Sequence, residues 1–217
     1  GKTTTAVHCA LAALQRGERA AYYLFDEGLS TLLVRARALG MDIAPYIADG
    51  SLKLVQINPA EMSPGEFATM IRGAIENEGR SFAVIDSLNA YLQAMPGEKY
   101  LLLQMHEMLS YLSLQGVTTV LVLGQHGLVG EIRSDVDLSY LSDAILMFRF
   151  FEARGDIATA VAVVKSRTSH HARTIHEFRL SPAQGLQVGE PLQDFEGIMS
   201  GMPAYRGKTR MLKHNAD

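Results

Sequence analysis

Gly1-Lys2-Thr3-Thr4-Thr5-Ala6-Val7-His8-Cys9-Ala10, residues 1–10, opens the chain, and its reading decides how the rest is understood. The first three residues match the end of G-x-x-x-x-G-K-[ST]. In that loop, backbone N–H groups and a helix N-terminus hold phosphates, the Lys reaches the β/γ-phosphates and the hydroxyl ligates Mg²⁺. A lone Gly-Lys-Thr triplet also fits an incidental turn. The context separates the two: residues 4–15 (TTAVHCALAALQ) have helical character and Gly17 supplies a stop, so the triplet opens a helix. With no initiator Met and only the tail of the motif, the sequence reads as a fragment whose upstream loop residues are missing.

Outward from this start, apolar runs and periodic segments alternate. Ala20–Phe25 suits a buried strand, Leu29–Leu39 a helix closed by Gly40, and Leu52–Ile57 a strand. Pro64–Asn77 is an amphipathic helix, Phe82–Ile85 a short strand ending at Asp86, and Tyr100–Leu114 a helix with Leu and Met on one face. Thr118–Leu123 is a further strand. Ala144–Phe151, Ile157–Val164 and Thr174–Leu180 follow with no room for helices between them. The expected fold class is α/β, with a mostly parallel central sheet, helices on both faces and antiparallel strands added at the C-terminal side. Residues 1–204 read as one domain, and residues 205–217, basic and polar, as a flexible tail.

The 217 residues suffice for one domain that buries about 70% of its unfolded surface. The net charge of −3 disfavours a constitutive nucleic-acid binder, which needs a basic face. Cys9 is the one cysteine, excludes an intrachain disulfide and fits a reducing compartment. No apolar run approaches the ~18 residues of a membrane span, and no signal-peptide pattern is present. The chain reads as cytoplasmic.

Asp86 closes Phe82-Ala83-Val84-Ile85, where an acid at the C-terminal edge of a central strand holds Mg²⁺ through water. The same position suits a helix N-cap, a role Ser87 can share. Asp26 and Glu27 close the strand ending in Tyr22-Tyr23-Leu24-Phe25. In a parallel sheet they face the same rim, where a carboxylate can orient or deprotonate a water or hydroxyl. Gln125 and His126 close the run Val120–Leu123, as a γ-phosphate sensor or as a turn between Gly124 and Gly127. Lys165, Arg167 and His170, in Lys-Ser-Arg-Thr-Ser-His-His, can clamp a phosphate, in trans as arginine fingers, or form a basic surface hairpin. A metal on His170-His171 is disfavoured, since adjacent side chains on a strand point apart and no Cys partners them.

With these residues in view, the sequence resembles the KaiC family of RecA-type P-loop ATPases over essentially its whole length. GKTTTA resembles the end of the family's P-loop, LFDEG the strand ending in paired acids, and FAVIDSLNAY its Walker B. The most specific segments are DVDLSYLSDAILMFRFFEARGD, VVKSRTSHHARTIHEFRL and GLQVGEPLQDFEGIMSGMPAY. The resemblance implies a hexamer with ATP between neighbours, and a signalling protein as the further partner. It implies that Gly1, Lys2, Thr3 and Thr4 meet the phosphates, with Thr3 and Asp86 on Mg²⁺. It also implies that Asp26 and Glu27 are the paired catalytic acids and that Lys165, Arg167 and His170 reach the adjacent subunit's site. In clock members a Ser-Thr pair near the interface is autophosphorylated. Ser139 falls on the Ser, making it the candidate phosphoacceptor, whereas Tyr140 replaces the Thr. Asp26 replaces the usual first Glu, one methylene shorter. Asp135 and Asp137 flank Ser139 with charge that opposes added phosphate.

Three functions compete. The first is an ATP-hydrolysing signalling ring, with or without serine/threonine autokinase activity. The second is a recombinase-like DNA-dependent ATPase, which shares the core. It requires basic, Gly-rich loops after Asp86 and Gln125, and SLNAYLQAMPGEKY and GLVGEIRSDVDLS are not strongly basic. The third is an inactive nucleotide-binding scaffold.

Overall fold

The run Ala20-Ala21-Tyr22-Tyr23-Leu24 shows no alternation of polarity, and a strand apolar on both faces must be covered on both. The computed structural model describes residues 1–58, 60–93, 100–124, 139–153 and 155–207. In it this run is β1 (Ala20–Leu24), buried at all five positions. Its sheet runs β2-β1-β3-β4, all parallel, with β2 (Leu52–Gln56), β3 (Phe82–Asp86) and β4 (Thr118–Val122). Parallel neighbours cannot be joined by tight turns. The helices are α1 (Lys2–Gln15) before β1, α2 (Leu29–Ala38) and α3 (Ala44–Ala48) before β2, and α4 (Pro64–Glu76) before β3; α5 (Leu88–Gln93) and α6 (Leu101–Leu114) precede β4.

The period of two along β1 divides the core. Tyr22 and Leu24 join Val84 of β3, Ala6, Val7, Ala10 and Leu14 of α1, and Leu32 and Ala36 of α2. On the opposite face, Phe67 of α4 meets Tyr23, Phe25 and Tyr91 of α5 at ring-centroid distances of 5.4, 5.2 and 5.2 Å. Such aromatic pairs add about 1 kcal/mol each beyond their burial. Gly17 and Gly40 end α1 and α2 at φ of 84° and 74°, where a side chain would strain the backbone. Helix α4 starts at a reciprocal cap: Glu66 N–H donates to Ser63 Oγ at 3.3 Å, and Ser63 N–H donates to the Glu66 carboxylate at 2.8 Å. Arg80 is buried and donates to three carbonyls, of Ala20 at 2.5 Å, Ser51 at 2.9 Å and Gly50 at 3.1 Å, stapling the starts of β1 and β2.

The chain divides into two compact units, residues 1–124 with 182–185, and residues 125–181 with 186–217. The second is built on β5 (Ala144–Ala153), β6 (Asp156–Ser166), β7 (His176–Ser181) and β8 (Gly185–Pro191), a four-stranded sheet in that order. The β5/β6 and β6/β7 pairs are antiparallel. Its small core gathers Phe151, Ala160 and Ile198 with Ile175, Leu192 and Phe195. Two further strands, β9 (Phe195–Glu196) and β10 (Ala204–Tyr205), pair antiparallel. Tyr205 and Arg206, which open the segment read as a tail, are tied in: Tyr205 packs on Phe195 at 5.3 Å, and Arg206 N–H donates to the Asp194 carbonyl at 2.7 Å.

The elements expected from sequence are present with ends shifted by one or two residues. Helix α1 begins at Lys2, two residues early, and β6 runs on to Ser166, so Lys165 lies inside the strand rather than after it. Helices α3 and α5 and strands β8, β9 and β10 are additions; α3, α5, β9 and β10 are too short to show a period, and β8 (GLQVGEP) carries two glycines and a proline that weaken a strand signal. Among the described residues no helix is long and apolar enough to cross a membrane.

Candidate nucleotide site

The parallel register sets the site. Leu24 stands opposite Asp86, and Asp86 opposite Val122, so the three strands end together at one rim. Phe25 N–H continues the ladder, donating to the Asp86 carbonyl at 2.8 Å. Asp26 and Glu27 therefore follow immediately beyond the end of β1, beside the end of β3.

Helix α1 starts at the same rim. Gly1 is its N-cap and offers no side-chain hydrogen bond, and the first turn carries no acidic residue. The first N–H groups of a helix have no intrahelical acceptors, and here no side chain of the cap supplies one. Together with the positive end of the helix dipole this favours an anion. Thr4 is buried, so its main-chain N–H is the part of it that such an anion can meet.

Asp86 is only 6% exposed and its two oxygens have different partners. Tyr22 donates its phenol to Oδ2 at 2.8 Å, and Thr3 donates its hydroxyl to Oδ1 at 3.3 Å. Burial pushes the Asp86 carboxyl above its usual range. The two hydrogen bonds pull it back, the Glu27 charge adds to the rise, and Arg35 opposes it. Burial and the Asp86 charge together push the Tyr22 phenol far above its usual value, so it stays a donor. A hydroxyl and a desolvated carboxylate side by side form a hard oxygen donor pair, and among the described residues no Lys, Arg or His forms a salt bridge with that carboxylate. That chemistry fits Mg²⁺.

The paired acids are also held. Arg35 of α2 clasps Glu27 with two parallel hydrogen bonds, 2.6 and 2.7 Å. Ser87 donates its hydroxyl to Asp26 Oδ2. Asn89 of α5 accepts from Gly124 N–H at 2.6 Å, holding the second residue after β4. Gln125, His126, Asp135 and Asp137 lie outside the described residues.

In the second unit, Lys165 donates its ammonium to the Ser139 carbonyl, and Arg167 donates to the Tyr140 carbonyl at 2.6 Å. The Arg167 N–H also donates to the Asp143 carbonyl at 2.8 Å. The β5/β6 register shifts between Ile145 and Leu146, pairing them with Lys165 and Val163 and leaving Val164 without an opposite residue. Ser139, Tyr140, Arg167 and His170 are exposed.

The structure thus brings Lys2, Thr3, Asp26, Glu27 and Asp86 to one rim, and in the other unit sets Lys165, at the end of β6, and Arg167 against the turn at Ser139 and Tyr140. Sequence reasoning missed Tyr22, Arg35, Ser87 and Asn89. Alternation puts Tyr22 and Leu24 on one face of β1, but only the pairing with β3 puts Asp86 beside them. Arg35 follows Glu27 by eight residues, a spacing with no fixed meaning until the turn into α2 is known.

Comparison with known proteins gives the family of the chain. A family model described as "ATPase: KaiC" matches residues 1–193. The circadian clock protein KaiC3 of Synechocystis sp. is 24% identical over 216 residues, 97% of this chain and 42% of that protein. The circadian clock oscillator protein KaiC of Prochlorococcus marinus is 28% identical over 200 residues, 88% of this chain and 38% of that protein. That of a Picosynechococcus sp. is 27% identical over 195 residues, covering 87% and 36%. The chain spans about two fifths of the length of the curated relatives it matches.

Proposed function

This chain belongs to the KaiC ATPase family, and from that premise we propose that it binds ATP with Mg²⁺ at the C-terminal rim of its parallel sheet and hydrolyses it. The working form in this reading is a ring of identical subunits, hexameric and cytoplasmic, that signals to a protein partner. The observation that carries the reading is the start of α1, uncapped by any side chain, with the Thr3 hydroxyl 3.3 Å from a buried carboxylate on the neighbouring strand end.

Each residue then has a role. The N–H groups of the first turn, through Thr4, and the Lys2 ammonium meet the phosphates. Thr3 and Asp86 hold the metal, which supplies neutralisation of charge on the β/γ oxygens. Asp26 and Glu27 orient or deprotonate the attacking group. Arg35 fixes the direction of Glu27 and Ser87 that of Asp26, a preorganisation that costs nothing at the moment of reaction. Lys165, Arg167 and His170 serve a neighbour's phosphates, and Gln125 senses the γ-phosphate.

Autophosphorylation of Ser139 is the second reading. It is favoured by the grip of Lys165 and Arg167 on the backbone of Ser139 and Tyr140, which ties the phosphate-binding cations to the candidate acceptor.

Calorimetric titration with ATP and a phosphate-release assay test the main reading. Lys2→Ala loses ATP binding; unchanged affinity rules the reading out. Mixing Lys2→Ala with Arg167→Ala subunits that exchange restores some turnover if the clamp acts in trans, and leaves it at the single-variant level if it does not. Labelled ATP followed by peptide mapping places label on Ser139 under the second reading. Label on Tyr140 alone, or none with hydrolysis intact, removes it.

A further inference from the structure

Tyr22 and Tyr23 are consecutive, both buried, and 1% and 0% exposed. Strand alternation sends them to opposite faces of the sheet, and their hydroxyls meet different fates. The Tyr23 ring packs edge-on against Phe67, and its hydroxyl has no hydrogen-bond partner among the described residues. The Tyr22 hydroxyl donates to Asp86 Oδ2 at 2.8 Å. The register explains the reach. Leu24 is directly opposite Asp86, so Tyr22, two residues back on the same face, is its diagonal neighbour, a separation that a phenol spans and a shorter side chain does not.

We infer that Tyr22 is a positioning residue for the metal pair: its hydroxyl engages Asp86 Oδ2 and thereby turns Oδ1 toward Thr3 and the start of α1. The inference rests on the reading of Thr3 and Asp86 as Mg²⁺ ligands. The last torsion of an aspartate is broad and nearly two-fold, so a carboxylate gripped at neither oxygen can present either oxygen, at either angle, to a cation. A donor on one oxygen removes that freedom before the cation arrives. An ionised carboxylate only accepts hydrogen bonds, so the phenol must donate and the pairing has a single polarity. Tyr22 belongs to the core by its ring and to the site by one oxygen atom, and those two contributions separate in a Phe substitution.

The test uses the full chain with a non-hydrolysable ATP analogue and Mn²⁺ in place of Mg²⁺. Bound and free Mn²⁺ are followed by electron paramagnetic resonance, at a temperature where circular dichroism shows every variant folded. Tyr22→Phe keeps the ring and is expected to weaken Mn²⁺ about tenfold or more, the usual effect of removing an outer partner of a ligand. The bound Mn²⁺ spectrum changes with it, while affinity for the analogue without metal is unchanged. Tyr23→Phe is the control for losing a buried tyrosine hydroxyl and leaves Mn²⁺ affinity as in the wild type. Asp86→Asn loses Mn²⁺ binding. If Tyr22→Phe matches the wild type while Asp86→Asn loses the metal, Tyr22 only fills the core and the inference is overturned. If Asp86→Asn binds Mn²⁺ as the wild type does, the metal assignment itself is wrong and the inference falls with it.

Discussion

In the unit built on the parallel sheet, each acid at the strand ends is met by another side chain: Asp86 by Tyr22 and Thr3, Glu27 by Arg35, Asp26 by Ser87. In the antiparallel unit, the Lys165 and Arg167 side chains donate to the main-chain carbonyls of Ser139 and Tyr140, and Arg167 adds only a long, exposed ion pair of 3.8 Å with Asp143. The first arrangement hangs from a core filled on both faces of the sheet. The second lies on an exposed turn, where ionic and polar contacts are worth little because water and salt compete for them. Under the proposed function the contrast suits different tasks: Asp86, buried and engaged at both oxygens, is set before a ligand arrives, whereas Lys165 and Arg167 are held by bonds that cost little to exchange.

The comparison breaks most readily at the cores. Phe67 is 0% exposed and touches three aromatic rings, whereas Phe151 is 5% exposed in a much smaller cluster. Phe67→Ala is expected to cost about 4 kcal/mol and Phe151→Ala about 3 kcal/mol, since a thinner core relaxes around a cavity more easily. Urea unfolding followed by amide hydrogen exchange in each unit reads both; a reversed order would contradict the contrast. Arg80→Ala comes next. It removes a buried cation from three strand-end carbonyls, and a loss of about 3 kcal/mol is expected by the same measurement. Ser63→Ala, which opens the cap of α4, is expected to cost about 1 kcal/mol.

A smaller effect has a defined sign. Burial raises the Asp86 carboxyl in the folded protein above its unfolded value. The folded state therefore holds that proton more tightly, and the stability this group contributes falls as pH rises from about 4 through the raised folded value. Asp86→Asn removes that loss. Without nucleotide or metal, the variant should melt about 2 °C above the wild type at pH 7, with the gap closing below pH 4. A variant that melts lower at pH 7 would mean that Asp86 stabilises the fold rather than being tolerated by it. At the far end, Arg179 forms an exposed pair with Glu177 in β7. Arg179→Ala is expected to leave the melting temperature unchanged, and a clear drop would show that exposed pairs in the second unit matter after all.

Where the sequence was legible, the signal was local. The run Phe82–Ile85 with an acid at its end places a carboxylate at a strand terminus whatever the rest of the chain does. Gly17 and Gly40 mark helix ends because few other residues adopt their backbone angles. The reciprocal Ser63 and Glu66 cap was equally local, a Ser followed three residues later by Glu, and could have been read. Lys165 was harder. Its strand continues past the point where polar residues begin, because hydrogen bonds to β5 extend it, and polarity alone had ended it at Val164.

By itself the sequence determined the alternation of helices and strands, the Gly1-Lys2-Thr3 triplet that opens a helix, and the strand-end acids Asp26, Glu27 and Asp86. Each of these depends on the period of a short segment or on the residue that ends it. Only the tertiary structure decided what those groups face. Thr3 and Asp86 are separated by 83 positions, Tyr22 and Asp86 by 64, Asp26 and Ser87 by 61, and Lys165 and Ser139 by 26. Such pairs meet only after strands choose neighbours and register, and a slip of one residue would turn every side chain of a strand to the other face. That choice is made by packing over the whole sheet, where Leu24 opposite Asp86 lets both faces of β1 bury their rings, and no stretch of sequence carries it alone.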